Sequence, residues 1–412
     1  MSKRRPVFYG WFIVAACFAA TVCLGEVTWS FGVFFKALEN EFGWSRSLTS
    51  SCYTLMVVGY AISAIVAGRL ADRYSARPVF LVCALLGGST IALCSRIETV
   101  AHLQILLFFA GLGSGALLSV PSSTVQRWFH NRPRSGVALA VVMAGVGVGA
   151  LLFAPAIDYL IGAYGWRQAF VFCGVFFFVA VGFAALVVRT APTPVSIRAE
   201  NGKEETSQAS LIRQLVRSPK FLLLTVVVMV GVFGFQALNV HLVPFATDAG
   251  ISPTVAAAAL GLAGAFSVVG RMVFGLLSGR LGWRRSLALA QLGVGGSLLF
   301  LLLVDRVWIL YCFVALYGVS QGARAVSVMG LMGRLFGMRA IGETIGIMMA
   351  CAQLAGAFGP YLAGYLHDLW GNYTLIFSVL GVALMICAFP VLKFLVAPVE
   401  RNATTEEPPP GA

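Results

Sequence analysis

The chain alternates between long apolar stretches and short loops, and most of its charge is gathered in the loops. A helix rises roughly 1.5 Å per residue, so about 20 mostly apolar residues cross a hydrocarbon core about 30 Å thick. That spacing predicts six membrane helices at 12–35, 48–70, 78–95, 102–124, 136–160 and 167–188. Six more are predicted at 220–245, 254–279, 286–304, 307–332, 341–366 and 373–397. The expected architecture is an all-α membrane protein of twelve transmembrane helices in two six-helix halves. One bundle is expected over 1–188 and a second over 220–398, joined by a cytoplasmic linker at 189–219. Within that polar linker, Ile212, Leu215 and Val216 predict a short amphipathic surface helix. The tail at 399–412, with Thr404-Thr405-Glu406-Glu407 and a run of prolines, is expected to be a disordered cytoplasmic segment.

Composition strengthens this picture. Of 412 residues, 59% are hydrophobic and 11% charged, too little charge to coat a soluble domain. A net charge of +13 would suggest nucleic acid in a soluble protein. Here the cations mark every second loop: Lys3/Arg4/Arg5, Arg73/Arg77, Arg127/Arg132/Arg134, Arg284/Arg285 and Arg334/Arg339. On the other side Lys36, Glu39, Glu41 and Arg46 roughly cancel, as do Arg96/Glu98 and Asp305/Arg306. The positive-inside rule then puts both termini in the cytoplasm, and an even number of crossings requires the same. No nucleic-acid partner is expected. The run after Lys3-Arg4-Arg5 continues to Phe35 without a small-residue cleavage site, so the first helix is expected to be retained. The nine cysteines all fall in apolar segments without CxxC spacing and read as small hydrophobes between helices.

The halves repeat at an offset near 207 residues. Gly68-Arg69-Leu70-Ala71-Asp72-Arg73 answers Gly275–Arg280, Gly43-Trp44-Ser45 answers Gly250-Ile251-Ser252, and Tyr164-Gly165-Trp166 answers Trp370-Gly371-Asn372. Two parallel six-helix repeats resemble the major facilitator superfamily, whose halves rock about a site near the midplane. Gly68, Asp72, Arg73 and Arg77 match that superfamily's loop signature, whereas Ser75 and Ala76 depart from it. The resemblance implies that these four residues latch the cytoplasmic ends; orientation charge is the alternative. Gly145-x-Gly147-x-Gly149 with Pro155 reads as close helix packing and gate flexibility rather than substrate contact.

Charges at membrane depth are expensive and call for a function. Glu26, Arg271 and Arg324 lie deep in predicted helices, with His241 and Asp158 nearer the outer ends. Arg271 presents a planar fork that matches a carboxylate. It is the leading candidate for the substrate, with an ion pair to Glu26 as the alternative. Arg324 lines the substrate path or pairs with an acid. Glu26 is a candidate proton carrier, unless an arginine holds it permanently. His241 titrates near neutral pH or ties helices together. Gln321, Asn239 and Tyr317 offer neutral hydrogen bonds to a substrate, as does Gln236.

Several strings are similar to the monocarboxylate transporter family, in its bacterial branch. They are Tyr9-Gly10-Trp11, Ser30-Phe-Gly-Val-Phe-Phe35-Lys36, Phe42-Gly43-Trp44-Ser45-Arg46, Asn239-Val-His-Leu-Val-Pro244 and Arg271-Met-Val-Phe-Gly275-Leu. The resemblance implies a secondary carrier of a lactate- or pyruvate-like monocarboxylate in a bacterial inner membrane, with a proton as second partner. It also implies that Arg271 binds the carboxylate. The chain departs from the animal members at four positions: Trp29 replaces a lysine, Ser267 an aspartate, and Gln321 and Ala325 an aromatic–serine pair. Those departures put the proton route on another group such as Glu26, or on the substrate itself. The rival resemblance is to oxalate/formate exchangers, which use a lysine in the eleventh helix for a second carboxylate. The string Gly346–Gln353 has none, which implies one carboxylate unless Arg324 supplies the second cation. A non-transporting metabolite sensor is the reading from another class. No enzyme signature or metal spacing is present, no cofactor is expected, and a monomer holds both halves of the path.

Overall fold

In the computed structural model, residues 8–73, 75–129, 134–189, 213–214, 216–336 and 341–395 are described. Among them the chain forms α1 (Gly10–Trp29), α2 (Phe31–Phe42), α3 (Arg46–Arg73), α4 (Ala76–Leu93), α5 (Val100–Ser114), α6 (Ala116–Trp128), α7 (Ser135–Tyr164) and α8 (Trp166–Val187). The second half follows with α9 (Pro219–Asp248), α10 (Pro253–Leu281), α11 (Trp283–Leu301), α12 (Val307–Phe336), α13 (Ile341–Trp370) and α14 (Thr374–Phe394). Taking α1 with α2 and α5 with α6 as single crossings, these are the twelve expected rods. The tail at 399–412 and most of the linker, with Ile212 and Leu215 of its expected surface helix, lie outside the described residues.

By length and apolar character alone, ten crossings qualify among the described residues; α3 and α11 do not. Both turn polar side chains toward neighbouring helices while exposing apolar ones such as Ile62 and Leu289. Thr49 and Ser50 of α3, and Ser286, Gln291 and Ser297 of α11, are fully buried.

The internal repeat is visible in the backbone. Gly43 and Gly250 take φ of 63° and 82°, and Gly165 and Gly371 take 83° and 69°. Left-handed backbone suits glycine, which has no Cβ to clash. Both halves therefore turn corners at matching places. Helix starts are also set locally: Ser218 and Ser252 accept from the amides of Phe221 and Val255, and a proline follows each as the first helical residue.

Within each half, α1 packs on α7, α4 on α8, α10 on α12, and α11 on α14. The halves meet where α3 packs on α13, α7 on α10, and α2 on α9. The glycine string of α7 serves two of these contacts. At Gly145 and Gly149 a Cβ would run into Thr21 and the Val22 carbonyl of α1, whereas at Gly147 it would meet Val268 of α10. One stripe thus packs within the first half and also brings the second half close. Of the nine cysteines, six are buried between helices as expected, but Cys312 and Cys351 are exposed on the outside of the bundle.

Candidate functional site

Between the halves lies a cavity of about 460 Å³. Its wall is mostly apolar, with Trp29 of α1 set edge-on to Phe235 of α9 at 5.2 Å between ring centres. Arg271 of α10 lines it, as do Gln321 of α12, Gln236 of α9 and Gln353 of α13. The Arg271 Nε is buried without a hydrogen-bond partner, and no acid among the described residues pairs with the guanidinium. An unmatched cation in a low-dielectric cleft attracts an anion. Trp29, Ser267, Gln321 and Ala325, the four positions where the family resemblance breaks, all line this same cavity.

The other expected site residues are dispersed. Arg324 is buried behind Gln321, its Nε donating to Gln321 Oε1 at 3.0 Å, and it does not reach the cavity wall. Tyr317 is buried with its ring stacked on Phe313, 5.5 Å between centres, and its hydroxyl has no partner. Asn239 is buried too; its Nδ2 donates to the Thr28 carbonyl across the interface. That carbonyl is available because helix α1 breaks at Ser30 and α2 begins anew. Tyr53 places its hydroxyl 3.2 Å from the same carbonyl and 2.8 Å from Gln236 Oε1. Asn239 is thus a tie between halves at the edge of the cavity.

Glu26 lines a separate void of about 40 Å³, with Ser30, Phe170 and Cys173 among its neighbours. Val27 and Met56 belong to both linings and stand between this void and the main cavity. Glu26 Oε2 and Ser30 Oγ have no hydrogen-bond partner, and no cation among the described residues pairs with Glu26. The Glu26–Arg271 pair considered from the sequence does not occur in this structure.

His241 belongs to a third place. Its Nδ1 lies 2.9 Å from the Tyr373 hydroxyl; its Nε2 lies 2.9 Å from the Pro360 carbonyl and 3.0 Å from Ser50 Oγ. A carbonyl only accepts, so Nε2 carries the proton. Around it the ends of α3, α9 and α13 converge in a network that sequence reasoning missed. Arg46 donates from Nε to Glu39 Oε1 at 2.9 Å, from Nη2 to Asp248 Oδ1 at 2.9 Å, and from Nη1 to Asp248 Oδ2 and the Tyr373 hydroxyl. Lys36 adds contacts to Glu39 at 2.9 Å and Asp248 at 3.4 Å. Asp368 accepts the backbone amides of Arg46 and Ser47 at 3.0 and 2.8 Å, capping the start of α3 from the other half. From the sequence Lys36, Glu39 and Arg46 were cancelling loop charges. The missed signal was an arginine at the first turn of a helix with acids at the ends of α9 and α13.

The expected latch lies toward the opposite ends of α3 and α4. Gly68, Asp72 and Arg73 fall in the last turns of α3, with side chains outside the described residues; Arg77 is exposed in the first turn of α4.

A family model described as the Major Facilitator Superfamily matches residues 17–304 and 237–411. Monocarboxylate transporter 12 of Mus musculus is 25% identical over 98% of this chain and 88% of that protein. Monocarboxylate transporter 11 of Homo sapiens is 29% identical over 92% of this chain and 82% of its own length. Among solved structures, a D-xylose-proton symporter superposes with a TM-score of 0.79 at 14% identity, covering 94% of this chain and 98% of that one. A bacterial homologue of the human lysosomal transporter Spinster, inward-facing and occupied, gives 0.73 at 15% identity, over 95% and 93% of the two chains. At these identities the two structures speak for the fold alone.

Proposed function

The chain belongs to the Major Facilitator Superfamily and is a multi-pass membrane transporter related to monocarboxylate transporters; from that premise we propose that it carries a small lactate- or pyruvate-like monocarboxylate together with a proton. The observation that carries this reading is Arg271, a cation without an acidic partner on the wall of a cavity between the halves. A carboxylate docked on its fork would leave the short organic remainder against Trp29 and Phe235, with the Gln321 amide beside it.

In this reading Glu26 carries the proton, because no cation among the described residues ties it down as a permanent anion, and His241 is a structural tie. The halves rock, so that the Arg46–Asp248–Asp368 network closes one end, and Gly68, Asp72, Arg73 and Arg77 latch the other. With both termini cytoplasmic, the Arg46 end faces outward, in the inner membrane of a bacterium. One chain holds the whole path, so the working unit is a monomer of two six-helix bundles, 1–188 and 220–398.

The test is uptake of labelled lactate into proteoliposomes with and without an imposed inward proton gradient. Gradient-driven accumulation is expected. Uptake that needs a trapped internal anion would favour the exchanger reading, which the partition between Glu26 and the cavity supports. No uptake of any short acid would sink both.

A further inference from the structure

The cavity has one cation on its wall and a second hidden directly behind it. Arg324 is buried and pairs with no acid among the described residues; the one hydrogen bond of its guanidinium runs from Nε to Gln321 Oε1. Its Nη1 lies over Gly231 of α9, where any Cβ would collide with it. A permanently charged group held in protein by one neutral acceptor is expensive, and an anion is its natural partner. Gln321 is the cavity-lining side chain to which it is bonded. On α12 the residues facing the cavity are Gln321, Ala325, Val326 and Met329, and Ala325, one turn along, is too short to cover a guanidinium. With Oε1 turned to Arg324, the Gln321 amide nitrogen is left to donate toward the space that Arg271 also lines.

We propose that Gln321 is a plug that hides Arg324 from the cavity and so limits the site to substrates with a single carboxylate. It is the specificity-determining residue of the carrier: it offers a neutral donor where a second cation waits. Removing its side chain opens a gap beside Ala325 through which the second carboxylate of a three- or four-carbon diacid reaches Arg324 while the first stays on Arg271. The inference rests on the carboxylate reading of Arg271, and the experiment separates the two.

In proteoliposomes, inhibition of labelled-lactate uptake by malonate and by succinate is compared with inhibition by unlabelled lactate. The chains compared are wild type, Gln321→Ala and the double variant Gln321→Ala/Arg324→Gln. In Gln321→Ala the ratio of dicarboxylate to monocarboxylate inhibition constants is expected to fall about tenfold or more, the factor that one charge-assisted hydrogen bond supplies. It is expected to return to the wild-type value in the double variant. An unchanged ratio in the single variant, or a shift that survives loss of Arg324, overturns the proposal. If Gln321→Ala does not fold, Gln321→Ser carries the same expectation. If transport stalls, thermal stabilisation of the detergent-purified variant by succinate replaces uptake, and no gain over wild type overturns the proposal. Absence of lactate uptake by the wild-type protein would instead refute the carboxylate reading itself.

Discussion

Arg46 and Arg271 both lie where the halves face each other, and they live in opposite surroundings. Arg46 is saturated: Glu39, Asp248 and Tyr373 take its donors, and Asp368 takes its backbone amide. Arg271 has a buried Nε with no partner and an apolar cavity in front of it. A cation whose donors are satisfied by fixed acids, Asp248 of the other half among them, ties the halves together, and in the proposed reading it is a clamp. A cation left unmatched beside a void is a receptor for a mobile anion. In the proposed reading the same residue type does two jobs, and the difference lies in whether the acid is part of the chain.

The sharpest way to break this contrast is Arg271→Lys. Lysine keeps the charge and loses the fork, so the protein is expected to fold while carboxylate uptake falls roughly 100-fold, the loss of about 3 kcal/mol of charge-assisted bonding. Full uptake in that variant would remove Arg271 from the binding role. Arg46→Ala strips the clamp instead, leaving Asp248 and Glu39 without their main cation. Because Asp248 is partly exposed, a shift of about 2 kcal/mol away from the arrangement closed at that end is expected. A cysteine introduced at Thr54, whose hydroxyl bonds the Ala357 carbonyl across this interface, reports it. Its modification by an impermeant thiol reagent is expected to speed up roughly 10- to 30-fold. An unchanged rate would mean that Arg46 is not a clamp.

Glu26 extends the comparison to an unmatched acid. With Glu26→Gln, accumulation driven by a one-unit pH difference is expected to lose its factor of about ten while exchange of labelled for unlabelled substrate continues. Accumulation at the wild-type level would retire Glu26 as the coupling group. Asn239→Ala tests the border between the two regions. It removes one neutral donor to the Thr28 carbonyl, so an effect of about 1 kcal/mol on thermal stability is expected, with substrate affinity changed less than by Arg271→Lys. A loss of affinity as large as that of Arg271→Lys would return Asn239 to the substrate site.

Much of the fold was legible because the bilayer is a strict solvent. It demands helices of a fixed length, and the loop glycines Gly43, Gly165, Gly250 and Gly371 punctuate both halves alike. Arg271 was legible as a candidate for the same reason, the cost of a guanidinium at membrane depth, but whether Glu26 pairs with it was not. The breaks at Ser30 and Gly115 and the low apolarity of α3 and α11 were not legible, since they depend on which neighbours accept a freed carbonyl or bury a serine. Arg46 was invisible as a clamp because its acids lie 202 and 322 residues away in the chain. Arg324 and Tyr317 shared helix α12 with Gln321 and looked equal to it; only the direction of each side chain separated them.

The sequence alone determined the twelve crossings, the repeat, the family and the depth of Arg271, since each follows from the cost of polarity in lipid. Tertiary structure decided which charges are spent on one another and which remain for a substrate. It set Asp248 and Asp368 against Arg46, walled Glu26 away from Arg271, and put Gln321 between Arg324 and the cavity. Those pairings are distances between helices far apart in the chain, fixed only when all of them pack.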